Sequence, residues 1–341
     1  MRGLSLVAIA GALLLSACAS APTVASFPPL TPAERSCVDS ADGVTWVRTA
    51  PPAHQTTLDA WCAGVGPPWR HTGAVVATPP EALIVISWNM NVGRGNLDGL
   101  LAYLDEQFKD EMSGPRAGLV LLLQEVHREG AAVPVSPRFP RAVPRQIRSP
   151  ESAPDIADLA RGVGMSAVYV PSMRNGSGAV DPQDRGNAIL TTEALSAPTA
   201  IELPFGRQRR VAVGATIHDI RFISVHLDTS RARVLQAEAL ATADLTAASA
   251  TVVAGDLNSV EGSNDGSHKT LASRFPSQPC GDTRTHAWPW RLEMFFGGWV
   301  GRLDHIFTSL PAGRWSTSCS TVPHFFGSDH RPLVLVLRAI R

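Results

Sequence analysis

Lysine is almost absent from this chain. Of 30 basic residues only Lys109 and Lys269 are lysines, and the 30 acids bring the formal net charge to +0. Without a positive excess the protein has no long-range field for gathering polyanions, and the scarcity of lysine, beside the high Ala, Pro and Gly, reads mainly as genome composition. The chain also lacks a second long apolar run after residues 4–15, which excludes a polytopic helical membrane protein. It has no internal repeat, which excludes a solenoid. Its five cysteines are an odd number, so one must do something other than pair within the chain.

The odd cysteine has a place. Arg2 is a short positive n-region, residues 4–15 are an apolar h-region, and Leu15-Ser16-Ala17-Cys18 resembles the lipobox of bacterial lipoproteins. Residues 1–17 therefore read as a lipoprotein signal peptide and Cys18 as the acylated residue. Several acyl chains would give lasting anchorage. Ala19, rather than Asp, follows the cysteine, which by analogy points to the outer membrane of a bacterial envelope. Residues 18–36, rich in Ala, Pro, Ser and Thr, read as a flexible tether. Outside the cytoplasm disulfides form. Four cysteines allow three pairings, of which Cys37–Cys62 and Cys280–Cys319 each close a loop within one region of the chain. Residues 37–80 show little periodicity and read as an irregular, disulfide-closed segment.

From residue 81 onward the pattern changes. Short β-branched apolar runs at 82–87, 118–123, 167–170, 187–191, 211–217, 221–225, 251–254, 303–307 and 333–337 read as buried strands. Residues 97–110, 155–163 and 230–248 read as helices, the first capped by Asn96. Strands and helices interleave, and some strands run in hairpins, with His218-Asp219 as a tight turn. The expected fold is α/β, a four-layer sandwich of two packed mixed β-sheets flanked by helices. Two segments stand apart. Residues 127–154 hold six prolines together with Arg128, Arg138, Arg141, Arg145 and Arg148, either a solvated insertion or an arm that grips anions. Trp288, Trp290, Phe295, Phe296 and Trp299 are either packed or free to stack on a base or enter a lipid headgroup layer.

Polar clusters sit at the ends of the apolar runs, where a core has no use for them. Asn89 and Asn91 follow the first run, Glu125 the second, Asp256 and Asn258 the run at 251–254, Asp304 opens the run at 303–307, and Asp329-His330 precede the last one. Carboxylates gathered in one cleft raise each other's pKa unless a cation intervenes. An oxygen-rich donor set without thiolates suits a hard ion, Mg²⁺, or Mn²⁺ or Ca²⁺, and such ions commonly serve phosphate chemistry.

Seven short motifs run in order: Ser87-Trp88-Asn89-Met90-Asn91, Leu122-Leu123-Gln124-Glu125, Arg185-Gly186-Asn187-Ala188-Ile189-Leu190, Ser224-Val225-His226-Leu227-Asp228, Gly255-Asp256-Leu257-Asn258, Leu303-Asp304-His305-Ile306-Phe307 and Ser328-Asp329-His330-Arg331-Pro332. Over residues 82–338 the chain thereby resembles the endonuclease/exonuclease/phosphatase superfamily, deoxyribonuclease-like members included. The resemblance implies a sandwich fold and a Mg²⁺-dependent phosphoric ester hydrolase, with residues 81–341 as its catalytic domain. It implies Glu125 as principal metal ligand, Asp329 as a second and Asn89 as a supporting amide. Asp256 would orient or deprotonate the attacking water, Asn258 steady it, and His330 contact the scissile phosphate with Asp304 holding its tautomer. His226 would stand at the leaving group, and Asn91 and Asn187 would line the cleft. Abasic endonucleases carry an acid where this chain has Asn91, which puts a second metal position in doubt.

The expected activity is cleavage of phosphodiester bonds by an activated water, in a lipid-anchored nuclease-like enzyme, with phospholipid (sphingomyelinase-like) or inositol-phosphate phosphatase activity as the alternative. A non-catalytic surface lipoprotein that uses the fold for binding is the alternative of another class. The expected partners are a phosphate-ester substrate and a membrane reached through the N-terminal lipid, for a monomer on the extracytoplasmic side of a bacterial envelope.

Overall fold

The β-branched runs pair edge to edge into two sheets in the computed structural model of the chain, which describes residues 43–75, 79–109, 117–135, 138–143, 153–175, 182–243, 250–281, 283–287 and 301–340. One sheet has six strands in the order β1 (Thr45–Arg48), β7 (Ser196–Glu202), β8 (Val211–Ile217), β9 (Ile220–His226), β10 (Ala250–Asp256) and β11 (Asp304–Ser309). The other has seven, in the order β12 (Trp315–Thr321), β13 (Leu333–Ala339), β3 (Ala82–Asn89), β4 (Ala117–Glu129), β6 (Gln183–Thr191), β5 (Ser166–Arg174) and β2 (Trp69–His71). The β1/β7, β3/β4 and β9/β10 pairs are parallel and the rest antiparallel, so both sheets are mixed, as expected.

Five α-helices complete the layers among the described residues: α1 (Gln55–Cys62), α2 (Leu97–Gln107), α3 (Ile156–Gly162), α4 (Ala232–Thr242) and α5 (Gly266–Arg274). Because side chains alternate across a strand, each sheet has two faces to cover. Leu83, Val85, Val120 and Leu122 meet Val213, Phe222, Val252 and Ile306 between the sheets. Ile84, Ile86, Leu119 and Leu121 pack outward against Leu97, Leu100 and Leu104 of α2 and Ile156 of α3. Ile223, Val225 and Val253 pack outward against Ala237 and Leu240 of α4 and Leu271 of α5. Buried faces on both sides explain why these strands read as continuous apolar runs. Asn96 and Asp155 cap α2 and α3 with side-chain oxygens on Gly99 N and Ala157 N.

Two readings need correction. The segment 37–80 is not irregular where it is described: it supplies α1 and an edge strand to each sheet, β1 beside β7 and β2 beside β5. Strands of 4 and 3 residues are too short to show a period, and their register comes from the neighbouring strand. Nor is 127–154 devoid of core. Strand β4 continues to Glu129, Arg128 lies over the Trp69 and Tyr169 rings, and Val133 and Ala142 are buried, Ala142 beside Leu58 of α1 and Phe205. Arg145 and Arg148 lie outside the described residues, as do the aromatic segment 288–299, the leader, Cys18 and the tether. Among the described residues no helix is long and apolar enough to cross a membrane.

Cys280 and Cys319 are joined, with a Cα–Cα distance of 4.9 Å, and tie the segment after α5 to strand β12. Cys62 is also disulfide-bonded; its expected partner Cys37 lies outside the described residues. The Cys280–Cys319 bridge spans a sequence separation of 39. Closing a loop of that size removes unfolded-state entropy worth about 4 kcal/mol in the chain-entropy model. The Cys280→Ser/Cys319→Ser double variant should therefore lose about that much unfolding free energy in urea titrations; an unchanged midpoint would contradict a stabilising role.

Candidate active site

Strand direction gathers the polar residues at one end of the sandwich. Parallel pairing of β3 with β4 and of β9 with β10 aligns their C-terminal ends, while antiparallel β11 and β13 contribute their N-terminal ends. The register sets Asp256 opposite both His226 and Asp304. Gly255 precedes Asp256 because any side chain there would strike the Val225 carbonyl oxygen, at 1.8 Å from a Cβ. The β4 ladder breaks between Leu123 and Val126, and Glu125 takes a left-handed conformation (φ 51) in the break. The bulge turns its carboxylate out of the sheet and into the cleft.

Around Glu125 the backbone is strained. Asn91 (φ 48), Val92 (φ 56) and Asn258 (φ 50) are also left-handed, a conformation that a β-branched valine strongly disfavours. The 91–93 turn grips Glu125 twice: Val92 N donates to Oε2 (3.1 Å) and Gly93 N to the backbone oxygen (2.9 Å). Two motifs are locked together at the same end. Trp88 Nε1 donates to His330 O (2.9 Å), and Ser328 Oγ donates to Asn89 O (2.6 Å) while accepting from His330 N (3.0 Å). The serine and tryptophan of these motifs thus hold Asn89 and His330 in place.

The functional groups form one connected array. His330 Nδ1 bonds Asp304 Oδ2 at 2.7 Å, and its Nε2 faces Asp256 Oδ2 at 3.7 Å and Asp329 Oδ1 at 3.9 Å. Asp256 accepts from Asn89 Nδ2 (2.9 Å) and Asn258 N (2.8 Å), and His226 Nε2 lies 3.4 Å from it. Asn258 Nδ2 donates to Leu227 O (2.9 Å) and to His226 Nε2 (3.0 Å). The ring's Nε2 is therefore an acceptor, and its proton sits on Nδ1, 3.7 Å from Glu125 Oε1.

Burial and charge set the protonation states. Burial pushes Asp256 up to about 6, with Asp304 adding to the rise and His330 opposing it. Burial opposes charge on His330 too, but Asp304 and Asp256 outweigh it and raise the imidazole to about 10. Asp304 is held below the usual carboxylate range, since His330 more than offsets its burial. His330 and Asp304 are thus an ion pair. Burial, with Arg210, Arg185 and His330 nearby, drives His226 well below the usual imidazole value, so it is neutral.

Asn89, Asn91, Glu125, His226, Asp256, Asn258, Asp329 and His330 all line one cleft. Asp304 stands behind His330. Asn187 lines a small recess that shares Glu125, Arg185, Arg210 and His226 with this cleft, and its amide donates to Val211 O (2.8 Å), tying the two sheets. Glu125 and Asp329 lie in the same cleft, but Glu125 joins neither of the two groups of converging acid and imidazole donors, His286–Asp329–His330 and Asp256–Asp304–His330, found among the described residues. The carboxylates of Glu125 and Asp329 and the amide oxygens of Asn89 and Asn91 are hard donors, and their chemistry fits a divalent cation.

Sequence reading missed three cleft arginines and a histidine. Arg185 Nη1 donates to Glu125 Oε1 (3.3 Å), and Arg207, Arg210 and His286 line the same cleft. Arg210 is 5% exposed, its Nε is buried without a hydrogen-bond partner, and burial together with Arg185 lowers its pKa. A signal was present, because Arg207-Gln208-Arg209-Arg210 abut the buried strand β8, and charges entering a core need a reason. Asp228 Oδ2 accepts from Arg207 N (2.9 Å) and Gln208 N (3.2 Å) and fixes this loop at the rim.

The profile of the Endonuclease/Exonuclease/phosphatase family matches residues 86–330, well over half of the chain. The chain belongs to this family. Membership makes it a phosphoesterase-type hydrolase, and the divalent-metal dependence usual in the family agrees with the donor set. Among solved structures, an endonuclease/exonuclease/phosphatase from Beutenbergia cavernae DSM 12333 shares the fold at TM-score 0.52 and 18% identity, covering 76% of this chain and 72% of that one. An AP endonuclease from Archaeoglobus fulgidus matches at TM-score 0.45 and 16% identity, over 74% of this chain and 98% of that one. The human Nocturnin catalytic domain, with bound sulfate anion, matches at TM-score 0.42 and 17% identity, over 76% and 94%. No match to a curated protein was found.

Proposed function

We propose that the protein is a Mg²⁺-dependent phosphodiester hydrolase, nuclease-like in substrate and anchored to a bacterial envelope membrane through Cys18. The reading rests on one observation above all: Asp304 bonds His330, and His330 faces Asp256 in the wall of a cleft that Glu125 and the arginines also line. Glu125, with Asn89 and Asp329 in support, would hold a hard cation, which neutralises phosphoryl oxygens when bound.

The protein's own groups divide the remaining work. Asp256, with a pKa near 6, is ionised at neutral pH and basic enough to take the proton of an attacking water. Asn258 and Asn89 hold that carboxylate in place. His330, kept positive by Asp304, faces the developing negative charge on phosphorus and gives its Nε2 proton toward the departing oxygen. His226 is neutral and accepts from Asn258, with Glu125 3.7 Å from its other nitrogen. Arg185 and Arg210 supply guanidinium groups suited to phosphoryl oxygens, a local substitute for the missing global charge.

The test is a panel of bis-p-nitrophenyl phosphate, plasmid DNA, RNA, sphingomyelin vesicles and inositol phosphates. Diesters should be hydrolysed, nucleic acid fastest among the natural substrates; no turnover of any phosphate ester would sink the reading, and preference for a lipid or a monoester would redirect it. Arg210→Gln should lower kcat/KM by about 10–100-fold, as loss of a charge-assisted contact of about 1.5–3 kcal/mol implies. An unchanged kcat/KM would take Arg210 out of substrate binding.

A further inference from the structure

We propose that His286, Asp329 and His330 form a second cation site on the cleft rim, selective for a borderline transition-metal ion of the Zn²⁺ type. It shares Asp329 with the oxygen-rich surroundings of Glu125 and differs from them in its two imidazole donors, His286 and His330.

The three residues come from two segments that the backbone clamps together. Residues His286 and His330 form an antiparallel bridge. Ala287 N donates to Asp329 O (2.8 Å) and Arg331 N to Thr285 O (2.6 Å). On its other side the 285–287 segment is pinned by Gly301 O, which accepts from Thr285 N (2.7 Å) and His286 N (2.9 Å). The donors are therefore presented by fixed backbone on both sides.

The spacing suits a small tetrahedral ion. His286 Nε2 lies 3.5 Å from Asp329 Oδ2, and His330 Nε2 lies 3.9 Å from Asp329 Oδ1. One ligand atom from each residue lies within 4.8 Å of the other two. Zinc bonds of about 2.0–2.1 Å put tetrahedral ligands about 3.3–3.4 Å apart, so small rotamer shifts close the triad. The two rings stand nearly perpendicular, at 81° with centroids 4.6 Å apart, so neither stacks over the other's donor edge. Asp329 is 45% and His286 20% exposed at the side chain, which leaves a path for the ion and a fourth position for water.

A separate observation points the same way. The other nitrogen of His330 is bonded to Asp304 at 2.7 Å. A carboxylate behind an imidazole fixes the ring and raises the basicity of the far nitrogen, as behind metal-ligating histidines generally. Two imidazoles and one carboxylate favour borderline ions over Mg²⁺, which takes oxygen donors in octahedral array. An ion bound here would replace the Nε2 proton of His330, which passes to solvent, so on the catalytic reading above it would inhibit. That consequence rests on the proposed function; the binding itself does not.

Binding is therefore tested without turnover. Co²⁺, a visible reporter for zinc sites, is titrated into chelator-treated full-length protein, and Zn²⁺ affinity is measured by calorimetry. One equivalent of Co²⁺ should give an intense tetrahedral band that Zn²⁺ bleaches. The His286→Phe variant should lose the band and at least about 100-fold in Zn²⁺ affinity, more than loss of an outer-shell partner would cause, while Glu125→Gln keeps both. Asp329→Asn, at a half-exposed position, repeats the test should the first variant fail to fold. An undiminished band in folded His286→Phe or Asp329→Asn, or a band lost in Glu125→Gln instead, would overturn the proposal.

Discussion

Asp256→Asn is expected to slow hydrolysis of bis-p-nitrophenyl phosphate by about 10²–10⁴-fold, the range for loss of a positioned general base. The amide keeps the shape of the carboxylate and still accepts from Asn258 N, but it cannot take a proton. Stability should move the other way. In the folded chain Asp256 holds its proton up to a pH of about 6, above the usual aspartate value near 3.9. The folded state therefore binds more protons than the unfolded one between those values, and Asp256 subtracts stability as pH rises through the window. Removing the ionisable group removes that cost, so at pH 7 the variant should resist urea at least as well as the parent. An inactive variant that is also unfolded would say nothing of chemistry; a folded and fully active one would strip Asp256 of its role.

The pH profile carries the same signature. Activity should rise as Asp256 ionises through about 6 and fall as His330 loses its proton through about 10. The acid limb should vanish in Asp256→Asn. For His330 the stability sign is the reverse of that for Asp256. Its raised folded pKa contributes stability that is complete below the ordinary histidine value near 6.5 and disappears as pH climbs through about 10.

Chelation is expected to cost roughly 10³-fold or more in turnover, because neutralising phosphoryl oxygens is worth several kcal/mol. Added Mg²⁺ should restore the rate. Glu125→Gln should raise the Mg²⁺ concentration needed for half-maximal rate by about tenfold or more, since an amide replaces the one cleft carboxylate that the bulge in β4 turns outward. Full activity in excess EDTA would remove the cation from the account.

The sheets were legible where strands are buried on both faces and spell apolar runs, as β3 and the 187–191 half of β6 do. Strand β12 was not. Its sequence Trp-Ser-Thr-Ser-Cys-Ser-Thr is polar and mostly exposed, and only its pairing with β13 makes it a strand. The acidic and imidazole residues of the cleft were legible for the opposite reason, as polar groups stranded at the ends of apolar runs. Arg210 and His286 escaped because each lies in a segment without periodicity. Their position depends on distant partners: Asp228 holding the 207–208 backbone, and Gly301 pinning the 285–287 strip.

The central claim is that water attacks phosphorus in this cleft. Hydrolysis of bis-p-nitrophenyl phosphate in water labelled with heavy oxygen, followed by mass spectrometry of both products, tests it most directly. The account predicts one labelled oxygen in the p-nitrophenyl phosphate and none in the p-nitrophenol; label in the phenol, or no Mg²⁺-dependent turnover at all, would contradict it.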